Sequence, residues 1–200
     1  DNFLLPIEKH HNESKMRKLH AIIKPFILRR QKSQVLTELP EKIEQIMYSE
    51  MTADQNKEYE TVKSYFRNKI LDEMDGDGAS KSKMTLLQGL TKLRQIANHP
   101  KLAEPNYTSD SGKFDDVLRQ LESTTAEKHK VLIFSQFVKH LALFREYLDK
   151  KGVKYAYLDG ATKSRKEQVE FFQNNDEIQL FLISLKAGGL GLNLTEADYV

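Results

Sequence analysis

Residues 180–195 read LFLISLKAGGLGLNLT, and this stretch decides the fold of the chain. It opens with an apolar run dense enough for a β-strand that is buried on both faces, as in a parallel sheet. It continues into Gly188, Gly189 and Gly191. Glycine permits positive φ angles and lets another group approach the bare backbone. With Ser184 and Lys186 beside these glycines, the stretch predicts an anion-binding turn or, more plainly, a tight connection between two core strands.

The second half of the chain, from residue 111, alternates apolar strands with amphipathic helices. Strands are predicted over residues 130–135, 153–158 and 178–183, and a further strand begins at Tyr199. Helices with short connections between such strands are typical of a parallel sheet with right-handed crossovers. The predicted fold class is α/β, a parallel sheet flanked by helices.

The first half is predicted to be mainly helical. A helix over residues 13–31 should break near Ile23, because Pro25 lies inside its pattern. A second helix should begin at Thr52 as the N-cap, with Gln55 at the reciprocal capping position. Residues 43–51 alternate partially and predict a strand, and the polar residues 106–112 predict the main boundary. A third helix is expected over residues 84–98, with an inward face of Leu86, Leu87, Leu90, Leu93 and Ala97.

Composition excludes several classes of protein. The chain has 200 residues, enough to bury a sizeable core, and a formal net charge of only +2, so no bulk basic field indicates nucleic acid. It has no cysteine, which excludes disulfides, thiolate catalysis and cysteine zinc sites and fits an intracellular location. Neither a signal peptide nor an apolar run of transmembrane length is present. His99 stands alone and is interpreted as a capping or core residue.

Polar and cationic groups follow each predicted strand. Ligands of an open parallel sheet collect at the carboxyl ends of its strands, so these groups predict a phosphate-contacting rim. In plainer alternatives, Ser135 and Thr162 are N-caps and Arg165 pairs with Asp159. The groups of the rim are Ser135, Gln136, Gly160, Thr162, Arg165, Ser184 and Lys186.

The sequence lacks catalytic machinery of its own. No P-loop pattern is present, and the glycines do not complete a dinucleotide-binding fingerprint. No nucleophile–histidine–acid set or metal cluster appears. A nucleotide-binding α/β enzyme would need acids or bases at the strand ends, where only Asp159 is available. A rim without catalytic groups indicates one half of a split site.

Six segments, in the family's order along the chain, resemble motifs of the SWI/SNF-type ATPases, a branch of helicase superfamily two. Residues 181–195 resemble motif V and residues 131–137, VLIFSQF, resemble motif IV. Residues 157–162, YLDGAT, together with Arg165, resemble the segment that follows motif IV. Three upstream segments resemble the family's signatures between the two lobes: PFILRR at residues 25–30, LPEK at residues 39–42 and LRQIANHP at residues 93–100.

This resemblance implies an architecture and an activity. Residues 1–30 would be the tail of the first helicase lobe and its exit helix, residues 31–110 a linker and helical insertion, and residues 111–200 the second RecA-like lobe, truncated before motif VI. In this family two lobes close on ATP and Mg²⁺ while gripping double-stranded DNA, and hydrolysis moves the motor along it. The expected partners are double-stranded DNA, the first helicase lobe in cis and a protein or nucleoprotein substrate, with no membrane.

Roles carry over residue by residue. The seven rim residues become candidates for DNA phosphate contacts, joined by Arg29 and Arg30, which resemble the pair that bridges the lobes. Gly189, Leu190 and Gly191 resemble the part of motif V that faces the nucleotide. No catalytic or metal-binding residue is expected in these 200 residues.

The missing motifs set the expected behaviour. The P-loop, the acidic magnesium motif and the arginine fingers of motif VI are absent, so the isolated chain should bind ATP weakly, hydrolyse none and bind DNA in a salt-dependent way. The expected location is the cytoplasm or nucleoid of a bacterium, or the nucleus of a eukaryote. The alternative function is a helicase-like lobe that acts only as a nucleic-acid or protein binding module.

Overall fold

The structure, a computed structural model, describes residues 2–28, 43–74, 79–189 and 191–200. Contacts divide the chain into two compact units, Asp1–Ile46 and Met47–Val200. The predicted residues Arg29, Arg30 and Leu190 lie outside the described residues.

The first unit contains two short helices and a single 3-10 turn among its described residues. Helix α1 covers Leu4–Glu8, helix α2 covers Glu13–Ile23 and the turn covers Lys24–Phe26. The side chain of Asn12 caps α2 by accepting from the backbone N–H of Lys15 at 3.0 Å. The break predicted near Ile23 is confirmed.

The strand predicted over residues 43–51 is wrong, because this segment forms neither helix nor strand. Ile43 and Tyr48 are each 91% exposed. A strand is held by a paired neighbour and by burial of one face, and partial alternation supplies neither of these.

A long helical hairpin opens the second unit, with α3 over Ala53–Met74 and α4 over Ala79–Asn98. The predicted capping box is confirmed. The backbone N–H of Gln55 donates to the Thr52 hydroxyl at 3.2 Å, and Gln55 Oε1 accepts from the Thr52 N–H at 3.4 Å. Gln55 is fully buried and also donates to the carbonyl of Ile96 at 2.8 Å and accepts from Gly112 N–H at 3.2 Å. One side chain therefore joins α3, the end of α4 and the start of the α/β region.

The inward face predicted for α4 is wrong in its middle. Leu86, Leu87 and Leu90 are 46%, 60% and 49% exposed. The hairpin buries Gly89 instead, because the ring of Phe66 packs where a side chain would stand: a Cβ on Gly89 would lie 2.9 Å from Phe66 Cγ. The absence of a side chain, not a leucine, permits the close approach of the two helices.

The α/β region follows the predicted order. The elements are α5 (Gly112–Ala126), β1 (Val131–Ser135), α6 (Val138–Lys151), β2 (Tyr155–Leu158), α7 (Arg165–Gln173), β3 (Leu180–Ser184) and the one-turn helix α8 (Leu185–Gly188). The three strands are parallel in the order β1-β3-β2. Tyr199 pairs with Val131 in a parallel bridge, so the start of a further strand is also confirmed.

The sheet is buried on both faces, as its apolar central strand predicts. Leu180 and Leu182 pack with Phe144 of α6 on one face, whereas Phe181 and Ile183 pack with Phe172 of α7 on the other. Alternate side chains of a strand point to opposite faces, so β3 contributes to both cores. Ser111 and the end of α4 join this region to the hairpin through the bond from Ser111 Oγ to the carbonyl of Asn98 at 2.9 Å. The division into insertion and lobe at residue 111 stays a prediction.

Candidate nucleic-acid interface

The carboxyl ends of the three strands meet at one edge of the sheet. Ser135 pairs in register with Ser184, and Leu158 pairs with Ile183. The groups that follow each strand are therefore neighbours along this edge, as the sequence predicts. We call it the carboxyl edge, formed by residues 135–137, 159–165 and 184–189.

At the end of β1 one predicted residue faces inward and the other faces out. Ser135 is buried, and its hydroxyl donates to the carbonyl of Phe137 and accepts from the Phe137 N–H, both at 3.2 Å. Gln136 is exposed, and its Oε1 accepts from Nη2 of Arg94. The hydroxyl of Ser135 shapes the turn, whereas Gln136 is available to a ligand.

Asp159 organises the turn after β2. Its Oδ1 accepts from the Ala161 N–H at 2.9 Å and from the Thr162 hydroxyl at 3.0 Å, while the Thr162 hydroxyl accepts from the Asp159 N–H at 3.0 Å. Burial alone would raise the pKa of the Asp159 carboxyl, but hydrogen bonds from Tyr157, Ala161 and Thr162 together lower it. The carboxylate is therefore charged, and the Thr162 side chain holds the turn closed. Gly160, at its tip, is exposed with open space around its Cα.

Arg165 does not pair with Asp159, as one alternative predicted. Its Nη2 donates to the carbonyl oxygen of Ala187 in α8. The side chain therefore ties the start of α7 to the helix that follows β3. Arg165 and Gly191 also line an open groove of about 410 Å³ between α7 and the segment after α8.

The end of β3 differs from the predicted glycine turn, because a helical turn comes first. The Ser184 hydroxyl, only 2% exposed, accepts from the Ala187 N–H at 3.3 Å and caps α8. A buried cap has no free face for a phosphate, whereas Lys186 is exposed.

The glycines have separate roles. Gly189 is right-handed, with φ −70° and ψ −3°, and Gly191 alone of the described glycines here is left-handed, with φ +62°. Gly188 is needed for space, since a Cβ would lie 2.8 Å from the ring of Phe134. Both properties of glycine named from the sequence therefore occur here: Gly191 adopts a positive φ, and Gly188 permits a close approach.

Sequence reasoning missed Arg94 as a member of this edge. It belongs to α4, 42 residues before Gln136 in the chain. Only the LRQIANHP signature marked its segment, and that pattern does not say what the side chain meets.

The described ranges hold neither a candidate metal site nor a membrane-spanning helix. Their His, Asp and Glu side chains form no group able to hold a metal ion. In the same ranges no helix is both long and apolar enough to cross a bilayer.

Known proteins resemble the chain over nearly its whole length. The SNF2-related domain family matches residues 1–102, and the helicase conserved C-terminal domain matches residues 112–200. Chromodomain-helicase-DNA-binding protein 1-like of Mus musculus is 36% identical over an alignment of 193 residues. The alignment covers 91% of this chain and 21% of that protein. ATP-dependent DNA helicase DDM1 of Arabidopsis thaliana is 37% identical over an alignment of 199 residues, which covers 90% of this chain and 26% of that protein. The chain thus spans about a quarter or less of these relatives.

A solved structure shares the fold. The Sulfolobus solfataricus SWI2/SNF2 ATPase core in complex with dsDNA superposes with a TM-score of 0.70 at 33% identity. The match covers 98% of this chain and 42% of that one.

Proposed function

Because the chain belongs to the SWI/SNF-type ATPases of helicase superfamily two, we propose that it serves an ATP-dependent double-stranded DNA translocase or remodeller. Residues 111–200 act as its second motor lobe, residues 31–110 as linker and helical insertion, and residues 1–30 as the tail of the first lobe. The first lobe works in cis. Because its proposed substrate is DNA, the protein would work in the nucleus of a eukaryote or in the nucleoid or cytoplasm of a bacterium.

The observation that carries this proposal is the carboxyl edge, where three parallel strands end side by side. Gln136, Gly160 and Lys186 are exposed on it. An amide, a bare backbone and an ammonium group are suited to phosphate oxygens and carry no base preference. Such a surface favours a motor that tracks the DNA backbone over a protein that reads sequence.

Nucleotide would enter from the side of motif V. The left-handed Gly191 follows α8, and α8 is capped by Ser184 at the end of β3. A shift of this segment on nucleotide binding would therefore be felt at the carboxyl edge, where Lys186 lies. We propose that Gly189, Leu190 and Gly191 face ATP, whose Mg²⁺ neutralises phosphate charge, and that closure of the two lobes brings this segment to the nucleotide.

The test is the ATPase rate of the full-length protein with increasing duplex DNA. We expect stimulation by the duplex, and Lys186→Gln should raise the DNA concentration for half-maximal stimulation about threefold or more, because one phosphate contact is lost. The matched control is Lys150→Gln, in the last turn of α6 at its end remote from the carboxyl edge, which should behave as wild type.

Two outcomes count against the proposal. An ATPase rate that duplex DNA leaves unchanged would overturn the motor. Duplex binding without any hydrolysis by the full-length protein would favour the other candidate, a lobe used only as a binding module.

A further inference from the structure

Arg94 reaches from the helical insertion to the carboxyl edge. It lies one turn before the end of α4, which is at Asn98, and its side chain is exposed. Its Nη2 donates to Oε1 of Gln136, and its guanidinium carbon lies 5.8 Å from the ring centroid of Phe137. Two contacts thus hold the guanidinium beside the end of β1.

The helix that carries Arg94 is firmly attached at this end. The carbonyl of Arg94 accepts from Asn98 Nδ2 at 2.8 Å, and the carbonyl of Asn98 accepts from the hydroxyl of Ser111 at 2.9 Å. Buried Gln55 holds the carbonyl of Ile96, two residues after Arg94, at 2.8 Å. The fixed backbone positions Arg94, and its contacts with Gln136 and Phe137 reduce the side-chain freedom that binding would cost.

The guanidinium retains unused donors. It has five N–H groups in a planar fork that suits phosphate, and the bond to Gln136 uses one of them. No carboxylate within the described ranges forms an ion pair with Arg94. Arg94 is therefore an exposed cation beside a predicted phosphate contact, and no acidic side chain among the described residues neutralises its charge.

From this juxtaposition we infer that Arg94 contacts a DNA phosphate beside Gln136, so that the helical insertion and the sheet form one continuous binding surface. This inference rests on the proposed function. The insertion then does more than space the lobes: it sets the orientation of Gln136 and adds a positive charge to the edge.

The test measures duplex DNA affinity of the full-length protein against salt concentration. Each phosphate contact contributes about 0.9 to the slope of log affinity against log salt. Arg94→Gln should lower that slope by about 0.9, so that a fourfold rise in salt weakens binding about 3.5-fold less than in wild type. Arg94→Lys keeps the charge and should retain most of the slope.

The matched control is Lys92→Gln. Lys92 is two residues earlier on α4 and therefore on a different side of the helix. Lys92→Gln also removes one positive charge. If the position of Arg94 is what matters, the salt slope of Lys92→Gln should equal that of wild type. Circular dichroism of each variant confirms that the hairpin is folded.

The outcomes separate this inference from the proposed function. If wild type binds duplex with a steep salt slope and Arg94→Gln keeps it, the inference is overturned and the proposed function stands. If Arg94→Lys loses as much slope as Arg94→Gln, the assignment of a charge contact is overturned. If wild type does not bind duplex DNA at all, the proposed function itself fails.

Discussion

The ammonium group of Lys130 lies 2.7 Å from the main-chain carbonyl oxygen of Phe172. It also donates to the carbonyl of Gln173 at 3.0 Å and lies 5.3 Å from the centroid of the Phe172 ring. These carbonyls belong to the last turn of α7, whose final residues lack intrahelical donors. The residue before β1 therefore caps a helix that packs across the sheet, and the positive charge complements the helix dipole.

We expect Lys130→Met to lower the free energy of unfolding by about 2–3 kcal/mol. The methionine retains the buried stem but leaves the two carbonyls without a donor. Urea unfolding monitored by circular dichroism measures the change. The control Lys139→Met removes an exposed lysine and should alter stability by about 0.5 kcal/mol at most. If the two variants have equal urea midpoints, Lys130 does not cap α7.

Gly112 is expected to tolerate no side chain. A Cβ there would lie 1.8 Å from the carbonyl oxygen of Glu50, a backbone atom that cannot rotate away. Gly112→Ala should destabilise the protein by about 3 kcal/mol or more. Gly160→Ala is the comparison, because open space surrounds Gly160, and it should cost about 0.5 kcal/mol or less. Thermal unfolding distinguishes the two, and similar melting temperatures would contradict the packing of residue 112 against residue 50.

Stability should fall as the pH falls from 6.5 towards 4. Burial, aided by the charges of His99 and Lys113, lowers the pKa of His140 to about 4, whereas an unfolded histidine titrates near 6.5. Below 6.5 the unfolded state binds the proton first, so the folded state loses about 2 kcal/mol by pH 5. Burial also lowers the pKa of His99, in the same direction.

His140→Leu should remove most of this loss of stability, because leucine does not bind a proton. The substitution breaks no hydrogen bond of Nε2, which has no partner in the described structure. The measurement is urea unfolding at pH 7.5 and pH 5. The carboxyl groups of Asp159 and Asp198, whose pKa values are lowered, keep their contribution until the pH falls below about 4. Parallel losses in wild type and variant would exclude His140 as the group responsible.

Arg165 is expected to act through position. Its bond to the Ala187 carbonyl holds α8, and the ammonium group of lysine, on a side chain of different shape, would not stand where the Nη2 donor stands. In the full-length protein, Arg165→Lys and Arg165→Ala should both lower DNA-stimulated kcat roughly tenfold or more. The salt slope of DNA binding should stay unchanged in both. The control is Lys166→Gln, at the next residue of α7, which should keep the kcat of wild type.

A different result would restore the original expectation for Arg165. If Arg165→Ala lowers the salt slope by about 0.9 while Arg165→Lys retains it, the guanidinium meets a phosphate directly.

Features that depend on a few neighbouring residues could be predicted from the sequence. The capping box of Thr52 and Gln55 depends on residues three apart. His99 is a buried cap, as expected: its Nδ1 accepts from the Lys101 N–H at 3.1 Å. Each of these features is decided within one turn of the backbone.

The sequence predicts that the candidate groups share one edge of the sheet, and their contacts with phosphate stay a prediction. Ser135, Thr162 and Ser184 are hydroxyl residues at strand ends, and the structure uses each hydroxyl within its own turn. A hydroxyl can bond to a phosphate or to a nearby N–H with equal ease. The sequence does not state which partner is closer.

In the α/β half of the chain, the sequence alone was enough to predict the order of strands and helices, the parallel sheet and the edge where the strands' carboxyl ends meet, because these follow from periodicity and short connections. The tertiary structure was needed to show that Arg94 meets Gln136, that Arg165 meets Ala187 and that Gly89 is buried in the hairpin while Leu90 is exposed. Those contacts join residues far apart in the chain. They depend on which surfaces pack together in the folded chain, and no local sequence pattern records that.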